Sequence, residues 1–335
     1  MRRIFIAGHR GMVGSAILRR LQGAEEVEVF TRSRAELDLG RISLVEEYLG
    51  DHRIEEVYLA AAKVGGIQAN NEFPADFLYE NLRIQSSVIH AAQSVGVSRL
   101  MFLGSSCIYP RDAAQPMSEE ALLTGPLELT NEPYAIAKIA GIKLCESHNR
   151  QHGTDFRSVM PTNLYGPNDN FDLETSHVLP ALLRKAYQAK LDGTKHLDVW
   201  GSGRPRREFL HVDDVACACV HLMDVSKDAY WSVVQARCSH INVGVGQDIS
   251  IRALAELISA VVGFDGRLVF DASMTDGTPR KLLDVSRAKA LGWSAKIELE
   301  EGLRNTFEWM VGCWDEQVVT GAVTGAGSGK QEKTG

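Results

Sequence analysis

A tyrosine and a lysine four residues apart, Tyr134 and Lys138, carry the clearest chemical signal in the sequence. Residues at that spacing share one face of a helix, so the ammonium is expected close to the phenol. A nearby positive charge favours phenolate, which predicts a tyrosine pKa lowered from about 10 toward neutral pH. Such a tyrosine can exchange a proton with a carbonyl or alcohol oxygen while hydride moves at the carbon. We expect Ser105 to hold that same oxygen by a hydrogen bond.

A cysteine follows that serine in the stretch Gly104-Ser105-Ser106-Cys107. Hydride transfer has no use for a thiol at this point, so Cys107 indicates a further reaction step. A small buried hydrophobe is an equally reasonable interpretation, because free cysteine is among the most buried residue types. The pattern of residues leaves both interpretations open.

A glycine-rich loop near the N-terminus is predicted to bind a dinucleotide. Its residues are Gly8, His9, Arg10, Gly11, Met12, Val13 and Gly14. The loop follows the first predicted strand and opens the first predicted helix. Glycine there permits a tight turn, and the helix N-terminus can face a pyrophosphate. The alternative is an ordinary connection between a strand and a helix.

The residues after the second predicted strand indicate which dinucleotide binds. Enzymes that use NAD usually place an acid there to hold the ribose hydroxyls. This chain instead has Thr31-Arg32-Ser33-Arg34, and its first acid is Glu36. Arg34, helped by Arg10, could bind a 2′-phosphate through charge-assisted hydrogen bonds. The sequence therefore predicts NADP(H), although both arginines could instead be solvated surface charges.

Strands and helices alternate through the first half of the chain, which predicts an α/β protein with a Rossmann-type, doubly wound parallel sheet. The predicted strands are Ile4–Ala7, Val27–Phe30, Glu56–Ala60, Leu100–Leu103 and Arg157–Met160. The predicted helices are Gly11–Leu21, Ser43–Leu49, Asn81–Val95 and Pro133–Gln151.

After about Pro167 the pattern changes to that of a smaller α+β substrate-binding domain. Its predicted helices are Pro180–Lys190, Asp213–Val225 and Ser250–Val262, with strands at Asp198–Trp200, His240–Val243 and Leu268–Phe270. We therefore assign residues 1–167 to a dinucleotide-binding domain. Residues 168–315 form mainly the substrate domain, with some segments free to return to the Rossmann sheet. Residues 316–335, rich in Gly, Thr, Ser and Lys, read as a disordered tail.

Composition excludes several classes of protein. A net charge of −7 with no block of lysine and arginine argues against a nucleic-acid partner. No apolar run reaches the ~18–20 residues of a membrane span, so no membrane partner is expected. Six cysteines without framework spacing predict a reduced, cytoplasmic protein. Cys217 and Cys219 would face different ways on a helix, and no metal site is expected.

Several longer strings resemble the extended short-chain dehydrogenase/reductases that act on nucleotide sugars. They are Gly8–Gly14, Leu59–Gly66, Gly104–Pro110, Asn131–Gly141, Pro161–Pro167 and Arg206–Asp214. The resemblance covers roughly residues 1–312 and is specific because the strings are long. The tail lies outside it.

The resemblance implies an enzyme that epimerises and then reduces GDP-4-keto-6-deoxy-D-mannose with NADPH. Ser105, Tyr134 and Lys138 become its reductase residues, and Cys107 and His177 its acid/base pair. The keto group acidifies both neighbouring ring carbons, and inverting each carbon needs proton removal from one face and return on the other. The resemblance also implies a homodimer.

Further binding residues are implied only by the resemblance. Those expected at the cofactor are Leu103, Gly104, Ser105, Lys138, Pro161, Asn163, Leu164 and His177. Those expected at the GDP-sugar are Lys185, Trp200, Arg207, Asp276 and Lys281. Each of these charges could instead be a solvated surface group.

Two other functions fit the same fold. One is a nucleotide-sugar 4-epimerase or 4,6-dehydratase, but these typically retain NAD, and dehydratases usually carry an Asp-Glu pair where this chain has Ser106-Cys107. The other is a non-enzymatic NADP sensor, a kind of protein that often lacks the tyrosine or the lysine.

Overall fold

The apolar segments of the N-terminal half become parallel strands of one sheet in the computed structural model, which describes residues 1–274 and 276–319. Other strands belong to three smaller sheets. In chain order, the strands of all four sheets are β1 (Arg2–Ala7), β2 (Val27–Thr31), β3 (Glu56–Leu59), β4 (Arg99–Leu103), β5 (Asp155–Pro161), β6 (Asn163–Tyr165), β7 (His196–Trp200), β8 (Arg206–Arg207), β9 (Phe209–His211), β10 (His240–Val243), β11 (Ile249–Ser250), β12 (Arg267–Asp271) and β13 (Arg280–Lys281).

The helices between these strands supply the layers of the fold. They are α1 (Met12–Leu21), α2 (Ile42–Asp51), α3 (Ile67–Glu72), α4 (Pro74–Ser94), α5 (Glu132–His152), α6 (Val178–Leu191), α7 (Val212–Asp224), α8 (Lys227–Val233), α9 (Ile251–Val262), α10 (Ser286–Ala290) and α11 (Leu299–Val319). Every predicted helix and strand is present, most of them within two residues of the predicted bounds.

The main sheet has the strand order β10-β5-β4-β3-β1-β2, and every pairing in it is parallel. From β1 the chain first adds β2 on one side and then β3 on the other. The order therefore reverses between β1 and β3, where open α/β sheets bind ligands at the carboxyl ends of their strands. The predicted Rossmann-type α/β sheet is confirmed.

Two hydrophobic cores cover the two faces of this sheet. One contains side chains of α2, α4 and α5, such as Val45, Val88 and Ile142. The other contains side chains of α1 and α7, such as Ile17 and Val215. Helix α7 and strand β10 thus belong to the main sheet and its layers, although they follow residue 167.

A third core holds the smaller region together. It joins α6, α9, α11 and the two-stranded sheet of β7 and β12 through side chains such as Leu183, Val199, Ile258 and Leu303. The prediction allowed some segments of residues 168–315 to return to the Rossmann sheet, and β10 does so. The division of the chain into two domains at residue 167 stays a proposal.

The start of one helix and the start of the tail differ from the prediction. Helix α4 begins at Pro74, seven residues before the predicted start at Asn81, because proline and Asp76 favour a first helical turn. Helix α11 continues to Val319, four residues into the predicted tail, and residues 320–335 lie outside the described part of the chain. Among the described residues, the helices lack the length and apolar character that crossing a bilayer would require.

Candidate active site

The glycine loop is closed by contacts that only glycine allows. Gly8 has a φ of +91°, and a Cβ there would lie 2.6 Å from the backbone nitrogen of Ala61. A Cβ on Gly14 would overlap the carbonyl oxygen of Gly8. Helix α1 starts at Met12, and no side chain caps its first N–H groups. Those groups can therefore bind an anion.

Met12 and Val13 play a different part from the glycines of this loop. Their partly buried side chains pack against the core on one face of the sheet, and their main-chain N–H groups belong to the uncapped first turn of α1. His9 lines the cavity beside the loop, and its Nδ1 is buried without a hydrogen-bond partner. Such an orphaned polar atom is typical of a wall that a polar ligand completes.

A cavity of about 680 Å³ extends from the loop to the ends of β2 and β3. Arg10, Arg32 and Arg34 line it. The first acid after β2, Glu36, is turned onto its own loop, where its carboxylate accepts hydrogen bonds from the amide (2.8 Å) and hydroxyl (2.6 Å) of Ser33. No ribose hydroxyl is needed to satisfy that acid. The arginine-rich wall and the free helix N-terminus fit a dinucleotide carrying an extra phosphate.

Sequence reasoning missed five charged residues of this cavity, and Lys63 and Asp76 form one ion pair among them. Arg83 of α4 bonds Asp38 at 3.1 Å and Glu80 at 3.0 Å, and Glu80 also lies 3.7 Å from Arg34. Hydrogen bonds from Gly40 and Arg83 hold the pKa of the Asp38 carboxyl below its usual range. Asp38 was detectable as an acid four residues after Arg34. No local signal marks Glu80 and Arg83, because the fold brings α4 to the cavity.

The other residues expected at the cofactor lie at the same edge of the sheet. Leu103 ends β4, and Gly104 follows it. Pro161 ends β5, and Asn163 and Leu164 begin the short strand β6. Because the carboxyl ends of parallel strands meet at one edge, these residues share it with the glycine loop.

Helix α5 presents Tyr134 and Lys138 toward the end of β4. The Lys138 ammonium donates a hydrogen bond to the carbonyl oxygen of Leu103 at 2.8 Å and lies 5.7 Å from the centre of the Tyr134 ring. Burial lowers the pKa of Lys138 to about 8, so the ammonium is still mostly protonated at pH 7.

The pKa of Tyr134 moves in the direction opposite to the prediction. Although part of its surface reaches the cleft, desolvation raises the pKa of the phenol well above 10, and Lys138 does not offset that effect. The reason is that the ammonium is directed to the Leu103 carbonyl rather than to the phenol oxygen. Tyr134 is therefore a phenol at neutral pH, the form that can donate a proton.

Ser105 and Cys107 lie on a single turn after β4. Ser105 caps the 3-10 helix Ser106–Ile108, and its Oγ accepts a hydrogen bond from the Cys107 amide at 3.4 Å. The cysteine is 8% exposed. Burial raises the pKa of its thiol, while Ser105 and the charges of Lys281 and Lys138 oppose that rise. The thiol is thus close enough to both lysines to respond to their charge.

His177 reaches the same region from the smaller part of the chain. It stands directly before α6, in a segment tied to the Rossmann side by a hydrogen bond from the Gly66 amide to the Thr175 carbonyl at 3.2 Å. The side chain is open to solvent, yet the surrounding protein and the Lys281 charge lower its pKa. One ammonium therefore acts on both the Cys107 thiol and the His177 imidazole.

The residues expected at the sugar nucleotide form two linked groups. In the first, β8 and β13 pair so that Arg207 lies beside Lys281. Arg207 donates a hydrogen bond to the carbonyl of Thr278 at 2.6 Å, and its charge acts on Asp276. Burial lowers the pKa of both Arg207 and Lys281, as expected of cations that need an anion nearby.

The second group contains Lys185, Trp200 and Asp276. The Lys185 ammonium lies 4.9 Å from the centre of the Trp200 ring, which is 62% exposed and open to a stacking partner. The Asp276 carboxylate accepts hydrogen bonds from the amide and hydroxyl of Ser202, two residues after Trp200. Asp276 thereby connects the two groups into one rim from Trp200 to Lys281.

Comparison with known proteins agrees with this geometry. The model of the NAD dependent epimerase/dehydratase family matches residues 4–236. GDP-L-fucose synthase of Escherichia coli (strain K12) is 59% identical over 92% of this chain and 96% of its own length. GDP-L-fucose synthase 1 of Arabidopsis thaliana is 55% identical over 92% of both chains.

A solved structure adds the fold and a cofactor. A GDP-D-glycero-L-gluco-heptose synthase from Campylobacter jejuni, crystallised in the presence of NADPH, superposes with a TM-score of 0.84 at 37% identity. The match covers 93% of this chain and 98% of that one. The chain therefore belongs to the NAD dependent epimerase/dehydratase family, in the branch that contains the GDP-L-fucose synthases.

Proposed function

We propose that this chain converts GDP-4-keto-6-deoxy-D-mannose to GDP-L-fucose and uses NADPH as the reductant, a late step in making GDP-fucose from GDP-mannose. The observation that carries the proposal is the Cys107 thiol, which lies on one turn with Ser105 of the Ser-Tyr-Lys set and, like His177, responds to the charge of Lys281. A reductase alone needs only the set. The relatives named GDP-L-fucose synthase support the same substrate.

The epimerisation uses groups that are held near a carbonyl. Ser105 and Tyr134 donate hydrogen bonds to the keto oxygen and stabilise the enolate that forms when a neighbouring carbon loses its proton. Cys107 and His177 share the removal of that proton from one face and its return on the other. Their reference pKa values of about 8.5 and 6.5 suit proton transfer near neutral pH.

The reduction then needs a proton at the oxygen of the same carbonyl. Gly8–Gly14 and the arginine-lined cavity would hold NADPH, which when bound would supply the hydride for the carbonyl carbon. Tyr134 donates its phenolic proton to the oxygen, which completes the alcohol. The raised pKa of the phenol keeps that proton in place until the oxygen becomes basic. The phenolate that remains has the Lys138 cation beside it, 5.7 Å from the centre of the Tyr134 ring.

The rim residues bind the nucleotide part of the substrate. Arg207 and Lys281 hold the diphosphate, because a guanidinium and an ammonium side by side match two phosphate groups. Lys185 adds a third cation. Trp200 offers an aromatic face to the guanine base, and Asp276 accepts hydrogen bonds from sugar or base donors.

Incubation with GDP-4-keto-6-deoxy-D-mannose and NADPH, with the product identified by NMR, tests the proposal. We expect NADPH oxidation and a product inverted at both carbons beside the former keto group. A reduced product with unchanged configuration would assign a simple C4 reductase instead. Absence of NADPH oxidation would refute the proposed reaction.

We also propose that the enzyme is a cytoplasmic homodimer. Tyr79 of α4 and Ile136 of α5 are exposed apolar side chains on two helices that pack together, which suits a contact with a second copy. Cys107, Cys145 and Cys219 are buried free thiols, as in proteins of reducing compartments. Light scattering of the purified protein and fractionation of cells test the two statements separately.

A further inference from the structure

Glu208 is a fully buried acid for which the proposed reaction gives no role. It lies between β8 and β9 with 0% of its surface exposed. Its carboxylate accepts hydrogen bonds from the backbone amides of Gly246 at 2.6 Å and Leu283 at 3.0 Å. Removing a carboxylate from water costs free energy, which hydrogen bonds such as these two offset.

The carboxylate lies close in the chain to Arg207 and joins a segment close to Lys281, the two cations proposed to bind the diphosphate. Arg207 immediately precedes Glu208, and Lys281 lies two residues before Leu283. The two cations are neighbours in the register of β8 and β13. That pairing contains only two residues of each strand, so it is weak by itself. The bond from Leu283 to Glu208 extends it beyond the strands.

The backbone packs so closely against the Glu208 carboxylate that no other acceptor can take its place. A Cβ built on Gly244 would lie 2.9 Å from the carboxyl carbon of Glu208, so the backbone passes directly against the acid. Burial raises the pKa of Glu208, and the hydrogen bonds from Gly246 and Leu283 oppose that rise. Both backbone donors would lose their acceptor if the carboxylate were removed.

The main chain of Glu208 also bonds the segment that follows β5, on the cofactor side. Its carbonyl oxygen accepts hydrogen bonds from the Asn163 side-chain amide at 2.8 Å and from the Thr162 hydroxyl at 3.3 Å. A change confined to the side chain keeps that carbonyl. Effects of the carboxylate on substrate binding can therefore be separated from effects on cofactor binding.

We propose that the Glu208 carboxylate is a positioning residue that fixes Lys281 beside Arg207 and thereby sets the affinity for a nucleoside diphosphate. The proposal rests on the proposed function, since it takes Arg207 and Lys281 as the diphosphate ligands. Glu208→Gln retains the shape of the side chain but replaces one acceptor oxygen by an N–H donor. One of the two backbone amides then faces a donor, which weakens the attachment of its segment, although bonds to Met117 and Gln115 still hold the residues around Leu283.

The experiment compares wild type, Glu208→Gln and Glu56→Gln by titration calorimetry with GDP and with NADPH. Glu56 is a matched control, because it is also a buried glutamate (4% exposed) with a pKa raised by burial. It is the first residue of β3 and so lies at the amino ends of the strands, away from the glycine loop at their carboxyl ends. We expect Glu208→Gln to bind GDP about tenfold or more weakly, the loss of a hydrogen bond to a charged group. Its affinity for NADPH should change less than about twofold, and Glu56→Gln should bind both ligands like wild type.

Kinetics separate positioning from simple loss of folded protein. A positioning role raises the KM for the sugar nucleotide in Glu208→Gln more than it lowers kcat, whereas a smaller folded fraction lowers kcat and leaves KM unchanged. If that variant does not fold, Glu208→Asp replaces it; the shortened carboxylate keeps its charge but cannot reach both amides, so the same weakening is expected. Wild-type affinity for GDP in the folded variant would overturn the positioning role. A wild-type protein that does not bind GDP would instead refute the proposed function.

Discussion

Replacing Lys138 by methionine should change how the stability of the protein depends on pH. The lysine is 4% exposed, and its ammonium donates a hydrogen bond to the Leu103 carbonyl at 2.8 Å. Desolvation lowers its pKa from 10.5 to about 8. At about 1.4 kcal/mol per pH unit, this fall corresponds to roughly 3 kcal/mol opposing the buried charge.

The sign follows from proton linkage. A base whose pKa is lowered by folding loses its proton at a lower pH in the folded protein than in the unfolded chain. Between about pH 8 and 10.5 the unfolded chain therefore holds more protons, and the free energy of unfolding rises with pH. Relative to Lys138→Met, the wild type should gain about 2 kcal/mol between pH 7 and pH 9.5.

Urea denaturation of the wild type and the variant at pH 7, 8.5 and 9.5 measures this difference. The unpartnered Leu103 carbonyl costs Lys138→Met about 1–3 kcal/mol, but that cost does not depend on pH and cancels from the change. Lys190→Met is a matched control, because Lys190 also donates to a backbone carbonyl, that of Val262 at 2.7 Å, yet is exposed.

A clear result would refute the reasoning. If the stability difference between the wild type and Lys138→Met stays constant from pH 7 to pH 9.5, the buried ammonium is not destabilised as its environment indicates. The Lys190→Met difference, measured in parallel, shows the effect of removing an exposed ammonium over the same range. The reductase rate of Lys138→Met should also fall, because the phenolate of Tyr134 loses the neighbouring cation.

Three further outcomes can be measured. Arg34→Ala should reduce the preference for NADPH over NADH about tenfold or more, because a charge-assisted hydrogen bond to the 2′-phosphate is lost. Fluorescence titration measures both affinities, and an equal preference in wild type and variant would contradict the arginine assignment. Cys107→Ser should abolish exchange of solvent deuterium into the carbons beside the keto group, and wild-type exchange by NMR would show that the thiol only packs. Gly14→Ala should lower NADPH affinity and Tm, because its methyl group would overlap the Gly8 carbonyl; an unchanged dissociation constant would argue against the tight loop.

Much of the fold could be predicted from local patterns. The five strands of the first half are short, mainly apolar runs. Parallel strands have this pattern because both faces of their sheet are covered by helices. The glycine loop was predictable because Gly8 and Gly14 occupy positions that reject a Cβ. The start of α4 was missed, although Pro74 is a recognisable first-turn residue.

Other features depended on contacts between distant segments. Strand β10 joins the main sheet beside β5, a pairing that the strand's own four residues cannot specify. Glu80 and Arg83 line the cofactor cavity because α4 crosses it. Glu208 looked like one more charge in the string Arg206–Asp214, and only its burial and its two backbone amides distinguish it.

The Tyr134 and Lys138 pair shows where the division lies. The sequence determined that the two side chains share one face of a helix, since their spacing matches a helical turn. It also determined the residue types, and with them the chemistry of proton and hydride transfer at a carbonyl. The tertiary structure decided their protonation. Burial raises the pKa of the phenol and lowers that of the ammonium, and the Leu103 carbonyl orients the lysine. Desolvation depends on everything packed around a group, which no local spacing encodes.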